Sequence, residues 1–191
     1  IVPERLEAHK LIEELMILAN VCAAEQLEKQ RALLLFRVHD EPSLEKIEAL
    51  RDFLQTIGID LPKQGAVRPV LFNRILAQVR GTPNEHLVNE IVLRSQAQAE
   101  YAPGNYGHFG LNLKKYAHFT SPIRRYADLI VHRGLIRAFG LGKDGLPDMT
   151  LDQMSEIGAS ISAAERRAMA AERDTMDRLI AFHLADQVGA S

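Results

Sequence analysis

The chain has 191 residues, 47% apolar, 25% charged and 6% aromatic, a balance that suits one large globular domain (or two small ones) and excludes disordered and fibrous classes. Lys and Arg number 23 against 25 Asp and Glu, a net charge of −2, so any attraction to nucleic acid must be local. The single Cys22 excludes an intramolecular disulfide and a multi-cysteine zinc site, and suits a reducing cytoplasm. The longest apolar stretch, Leu15 to Ala24, is interrupted by Asn20 and is too short to span a bilayer, so no membrane partner is expected. The opening Ile-Val-Pro-Glu-Arg has no signal-peptide pattern and no initiator Met, as expected of a piece of a longer protein.

Residues from about 4 to 30 read as one long helix, with Ala8, Leu11, Ile12, Leu15, Leu18, Ala19 and Cys22 in a stripe of 3.6-residue period. From Leu15 to Ala24 the helix is apolar nearly all round, so it should be buried on several sides, with more apolar surface than the rest of the chain can cover. Ala32 to His39 reads as a short strand or an apolar loop. Ser43 is the N-cap of a helix to about Thr56, with Leu44, Ile47, Leu50 (or Phe53) and Leu54 on one side. Beyond a Gly/Pro-rich connector, helices are predicted at 69–80 and 84–99, the second capped by Asn84. Tyr101 to Gly107 is a loop, and His108 to Thr120 reads as extended chain, one half of a hairpin with 99–102. Ser121 followed by Pro122 starts a helix to about Phe139. A glycine-rich loop leads to a capping box, Thr150 with Gln153, and a last helix to about Val188. Its stripe of Met154, Ile157, Ile161, Ala164, Ala168, Ala171, Thr175, Leu179 and Phe182 predicts lengthwise packing on a partner.

Lys114 to Arg137 holds six basic residues, Lys114, Lys115, Arg124, Arg125, Arg133 and Arg137, against one acid, Asp128. With Ser121 as cap, Arg124 and Arg125 fall at N3 and N4, where the positive helix end disfavours cations by roughly 0.3–1 kcal/mol each. That choice makes sense where an anion docks on backbone N–H groups, the Thr120 and Ser121 hydroxyls and two guanidinium forks, a geometry that suits phosphate. Tyr116, His118 and Phe119 would supply rings for base stacking. The plainer alternative pairs Arg124 with Asp128 at i,i+4, solvates Arg125, and puts Tyr116 and Phe119 in the core; spacing alone does not choose. Glu172 and Glu165, two turns apart, read as a solvated charged face. Glu13, Ile17 and Asn20 share a face of the first helix; Asn20 reads as a core hydrogen-bond anchor, with ligand contact as the alternative. The seven His residues are scattered, Asp144, Asp148 and Asp152 straddle a loop, Cys22 is expected to be buried, and no nucleophile elbow or phosphate-binding glycine loop is present, so no metal ligands or nucleophile are assigned.

His108-Phe-Gly-Leu111, Tyr116-Ala-His-Phe-Thr-Ser-Pro-Ile-Arg-Arg-Tyr126, Asp128 and His132 together resemble the signature of the RNB catalytic domain of the ribonuclease II and ribonuclease R family of processive 3′-to-5′ exoribonucleases. Leu11 to Asn20, Leu35 to His39 and Ala171-Glu-Arg-Asp174 resemble family segments in the same order, so the likeness covers essentially all of residues 1–191. It implies the C-terminal half of an α/β RNB domain, here mainly α with a short β-hairpin. The half that bears the metal-binding aspartates, and the flanking S1 and cold-shock-like domains, would lie outside this chain. It also implies that Arg124 contacts the scissile phosphate, that Glu13 contacts the terminal ribose, and that Glu172 belongs to the active-site neighbourhood. RNA contacts are expected at Glu13, Tyr116, His118, Thr120, Ser121, Arg125 and Glu172. The implied chemistry is Mg²⁺-assisted hydrolysis of RNA to nucleoside 5′-monophosphates, its partners being a single-stranded RNA 3′ end and the missing N-terminal half, in the cytoplasm. The isolated chain is expected to be inactive. A non-catalytic helical module that binds RNA or protein is the alternative.

Overall fold

A computed structural model describes residues 6–62 and 68–185. Its described elements are mainly helical with one small sheet, in the order α1 (Glu7–Lys29), β1 (Phe36–Val38), α2 (Leu44–Thr56), α3 (Pro69–Val79), α4 (Glu85–Ser95), β2 (Glu100–Ala102), a 3-10 turn (Phe109–Leu111), α5 (Tyr126–Phe139) and α6 (Leu151–Leu184).

Local sequence rules account for most of the boundaries. Ser43 Oγ accepts the Lys46 N–H at 3.4 Å at the start of α2, and Pro69 opens α3 at the first helical turn. Thr150 and Gln153 form the expected reciprocal capping box on α6, at 3.2 and 2.8 Å. Asn84 does not cap: its backbone is already helical and its side chain accepts no capping bond. The Glu85 carboxylate instead takes the Gly81 N–H at 2.6 Å. That helix also stops at Ser95, short of the predicted 99.

The sheet differs from the predicted hairpin. β2 pairs antiparallel with β1, with Phe36 opposite Ala102 and Val38 opposite Glu100. The Arg37 N–H, pointing away from β2, donates to the Tyr116 carbonyl at 2.8 Å. β1 thus lies between β2 and the 116–120 segment, and its buried Phe36 and Val38 hold both. Pairing of 99–102 with 108–120 is displaced because β1, remote in sequence, supplies the apolar surface that both need.

Three clusters form the interior. Ile47, Leu50, Leu54, Phe72, Ile75 and Val88 join α2, α3 and α4. Ala24, Leu27, Phe36, Val38, Ala117 and Val131 pack α1 and α5 over the sheet. Leu35, Tyr101, Ile130 and Met154 bring in the start of α6. Leu27 packs closely on α5 at Gly134, where a Cβ would meet both Leu27 methyls at 3.4 Å, ordinary van der Waals contact.

Several burial expectations fail. Cys22 is exposed, and so is Leu44, because the core-facing side of α2 is narrower than its apolar pattern. α6 packs only through its first half, burying Met154, Gly158 and Ser162. Beyond Glu165 its stripe meets solvent, Leu179 and Phe182 included. The last predicted turn, to Val188, lies outside the described residues. On α1 the expected surplus of apolar surface is present, with Leu11, Ile12, Leu15 and Leu18 all exposed, but Leu15 to Ala24 is not buried on several sides in this chain.

Candidate nucleic-acid interface

Residues 116–125 form a connection whose backbone is fixed by side chains from two helices. From α1, Asn20 is buried and fully engaged. Its Oδ1 accepts the N–H groups of Phe119 at 2.8 Å and Thr120 at 3.2 Å, and its Nδ2 donates to Tyr116 Oη at 3.0 Å. Asn20 is therefore the anchor its buried position demands. From α5, His132 Nε2 donates to the Phe119 carbonyl at 2.8 Å, and the two rings stack with centroids 4.3 Å apart.

The Ser121–Arg125 stretch departs from expectation. The helix begins at Tyr126, with Arg125 as its cap residue, and Ser121 to Arg124 form a turn ahead of it. Ser121 accepts the N–H groups of Arg124 and Arg125 through its carbonyl at 3.3 and 3.2 Å. N3 of the helix is occupied by Asp128, the acid that the helix end favours. Asp128 is fully buried. It accepts the Ser121 N–H at 2.8 Å and both Nε and Nη2 of Arg125 at 2.7 Å. So Arg125, not Arg124, pairs with the acid, and no arginine sits inside the positive first turn. The guanidinium fork of Arg125 matches the carboxylate edge-on, which a side chain at 124 on the outer side of the turn cannot do.

The consequence is a sorting of the basic stretch. Lys115 pairs with Glu28, Arg137 with Asp148, and Arg133 caps the Asp144 and Gly145 carbonyls at 3.3 and 3.4 Å. Arg124 and Lys114 stay exposed, and the Arg124 guanidinium makes no hydrogen bond or ion pair with the described residues.

Between α1 and this connection lies a cavity of about 540 Å³, lined among others by Glu13, Ile17, Asn20, Tyr116, Thr120 and Arg125. Four residues assigned to RNA from the sequence (Glu13, Tyr116, Thr120 and Arg125) meet there. The ring assignments fare differently. Tyr116 is buried with its hydroxyl engaged, and Phe119 is stacked on His132. His118 packs edge-on against both Tyr116 and Tyr101, with centroids 5.6 Å apart in each pair, and the Tyr101 Oη lies 2.8 Å from His118 Nδ1. Burial, then the charges of Arg125 and Arg37, holds His118 down to about 3, so it is neutral. Each of the three rings is thus in contact with at least one other ring. The Thr120 Oγ1 is buried with no hydrogen-bond partner among the described residues.

Glu172 lies on the exposed half of α6, its side chain without hydrogen bond or ion pair to the described residues. Glu165 is the α6 carboxylate that reaches inward, gripping Arg37 at 2.7 and 3.1 Å, while Arg37 lies 4.6 Å over the Tyr101 ring. Sequence reading missed this pair, because β1 and α6 are far apart in the chain. It also missed the role of Asp128, although the one acid in a basic run was a usable signal. Among the described residues no three His, Cys, Asp or Glu side chains are placed to hold a metal ion. The carboxylates described are thus not grouped as a Mg²⁺ site requires. Nor is any described helix long and apolar enough to cross a membrane.

The RNB domain family matches residues 1–140, a span that contains the whole 116–132 signature. The chain belongs to this family. It is 44% identical to ribonuclease R of Escherichia coli over 97% of its own length, which is 24% of that protein. The fold agrees: Mycoplasma genitalium RNase R in complex with ribose-methylated single-stranded RNA superposes with a TM-score of 0.84 at 29% identity, covering 97% of this chain and 30% of that one. The same protein in complex with double-stranded RNA gives 0.84 and 29%, covering 98% and 34%. The chain thus spans about a quarter of the length of the curated relatives it matches.

Proposed function

We propose that this RNB chain is part of a processive 3′-to-5′ exoribonuclease that hydrolyses RNA to nucleoside 5′-monophosphates, and that it forms the phosphate-clamping side of the RNA channel. The observation that carries this reading is Arg124: an exposed, unengaged guanidinium on a turn fixed by buried side chains, beside neighbours whose charges are already spent on internal partners. A planar guanidinium bonds two oxygens of one phosphate, and held rigidly it offsets charge that builds on phosphoryl oxygens during hydrolysis. Glu13, on the cavity wall near Thr120 and Arg125, is positioned in this reading for the terminal ribose. RNA is the ligand named for the M. genitalium structures that share this fold.

The rest of the activity belongs, in this reading, to the remainder of the longer protein, including the carboxylates for Mg²⁺. The exposed Leu11, Leu15 and Leu18 supply a surface for that missing half to cover. The isolated chain is inactive and its site of action is the cytoplasm. The same apolar face favours the second reading, a non-catalytic module that docks a protein.

Binding of a fluorescent single-stranded oligoribonucleotide tests both readings. Affinity should fall steeply with salt. Arg124→Ala should weaken binding about tenfold or more, the loss expected for one charged hydrogen-bonding group, and should lower the salt slope by roughly 0.7, one phosphate contact on a single strand. Salt-insensitive binding, or an Arg124→Ala protein that binds as the parent does, would sink the phosphate-clamp reading. Mononucleotide release from end-labelled RNA with Mg²⁺, above an Arg124→Ala control, would sink the claim that the chain alone is inactive.

A further inference from the structure

We infer that Asp128 is a positioning residue for the RNA-phosphate contact: through Ser121 and Arg125 it fixes the turn that presents Arg124. The inference rests on the phosphate-clamp reading of Arg124 and extends it to a residue that touches no RNA.

The geometry is specific. Asp128 is fully buried, and a buried carboxylate is tolerated only with its oxygens paired and hydrogen-bonded. Here the partners all come from the turn. Oδ1 takes the Ser121 N–H, at the entry to the turn, and Arg125 Nη2; Oδ2 takes Arg125 Nε, at the exit. One carboxylate therefore staples both ends of a four-bond span, and the residues between them, Pro122, Ile123 and Arg124, have no other described side-chain tether. Ile123 is fully exposed and Arg124 projects beside it, so their direction is set by the ends. Asn20 and His132 fix the chain just upstream, at Phe119 and Thr120. The Ser121 carbonyl closes the turn through the Arg124 and Arg125 N–H groups, and Asp128 is the side-chain tether nearest to Arg124.

A second consequence separates positioning from simple charge balance. Asp128 also neutralises Arg125. If quenching that charge were its whole role, loss of the carboxylate would free a second cation beside Arg124 and tighten RNA binding. If it positions Arg124, the loss lets the turn wander and weakens binding, because a contact group must be held within a fraction of an ångström to keep its worth.

The test is a double-mutant cycle on the whole chain, read as the Kd for a fluorescent single-stranded oligoribonucleotide. Arg124→Ala, Asp128→Asn and the double variant are compared, with far-UV circular dichroism and a thermal melt confirming that each is folded. Asp128→Asn should weaken binding about as much as Arg124→Ala, roughly tenfold, and lower the salt slope by the same roughly 0.7. The double variant should be no weaker than Arg124→Ala alone. Additive losses, tighter binding by Asp128→Asn, or unchanged binding while Arg124→Ala is impaired, would each overturn the positioning role and leave the phosphate-clamp reading standing. A neutral Arg124→Ala overturns both. Should Asp128→Asn fail to fold, Arg125→Lys takes its place in the cycle. It keeps the charge, cannot bridge both carboxylate oxygens, and carries the same expectation of weakening that disappears in the Arg124→Ala background.

Discussion

Burial keeps Tyr101 as the phenol, raising its pKa, and its Oη shares a hydrogen bond of 2.8 Å with His118 Nδ1. Protonation of His118 would place a buried cation near Arg125 and Arg37. His108 is held down to about 4 by burial first, then by His39 and Arg37. In the unfolded chain both histidines take a proton near 6.5; in the folded chain they do so only at about 3 and about 4. Between those values the unfolded state binds more protons, so stability is full above about pH 6.5 and is lost as pH falls toward the folded pKa values. Melting temperature should therefore drop from pH 7 to pH 5, and His118→Gln should flatten the decline. A His118→Gln protein with the parent's full acid sensitivity would refute this account of His118.

Two small residues one turn apart decide how α6 meets β2. Ser162 Oγ accepts the Tyr101 N–H at 2.9 Å and donates to the Gly158 carbonyl at 2.8 Å. A Cβ at Gly158 would lie 2.5 Å from the Tyr101 carbonyl oxygen and 3.1 Å from Leu35 Cδ2. In an exposed helix Gly→Ala gains about 1 kcal/mol; here the strand backbone occupies the space and has no freedom to give. Gly158→Ala should therefore destabilise the chain by about 1–3 kcal/mol, the usual cost of overpacking, seen as a lower denaturant midpoint. A raised midpoint would mean the contact between α6 and β2 is looser than described. Helical periodicity alone gave the α6 stripe, but periodicity does not say how far along a helix its partner extends. Buried Met154, Gly158 and Ser162 mark that extent.

For the molecule as a whole, the unresolved balance is apolar surface. Leu11, Ile12, Leu15 and Leu18 of α1 are 60%, 56%, 51% and 57% exposed, a contiguous face of the kind that marks an interaction surface. The chain by itself should self-associate through this face as concentration rises. Replacing Leu11, Leu15 and Leu18 by Gln should make its sedimentation coefficient independent of concentration; if association survives, another surface is responsible. The second half of α6 carries Met169, Met176, Leu179, Ile180 and Phe182 to solvent in the same way.

Family membership was legible from residues 116–132, because a signature is a matter of residue identity in order. So were α1, α2, α3 and the capped start of α6, whose periodicity and end residues act within a few positions of one another. The sequence also carried Asn20 as an anchor, since a lone amide in an apolar stretch has to find partners. Only the tertiary structure decided which arginine faces outward, that β2 joins β1, and that Arg37 grips Glu165. The sheet pairing and the Arg37–Glu165 contact join segments far apart in the chain, and the choice of arginine turns on a backbone path that spacing does not reveal. A carboxylate at 128 can serve one fork, and the backbone path from Ser121 to Tyr126 gave it Arg125 and left Arg124 to the solvent.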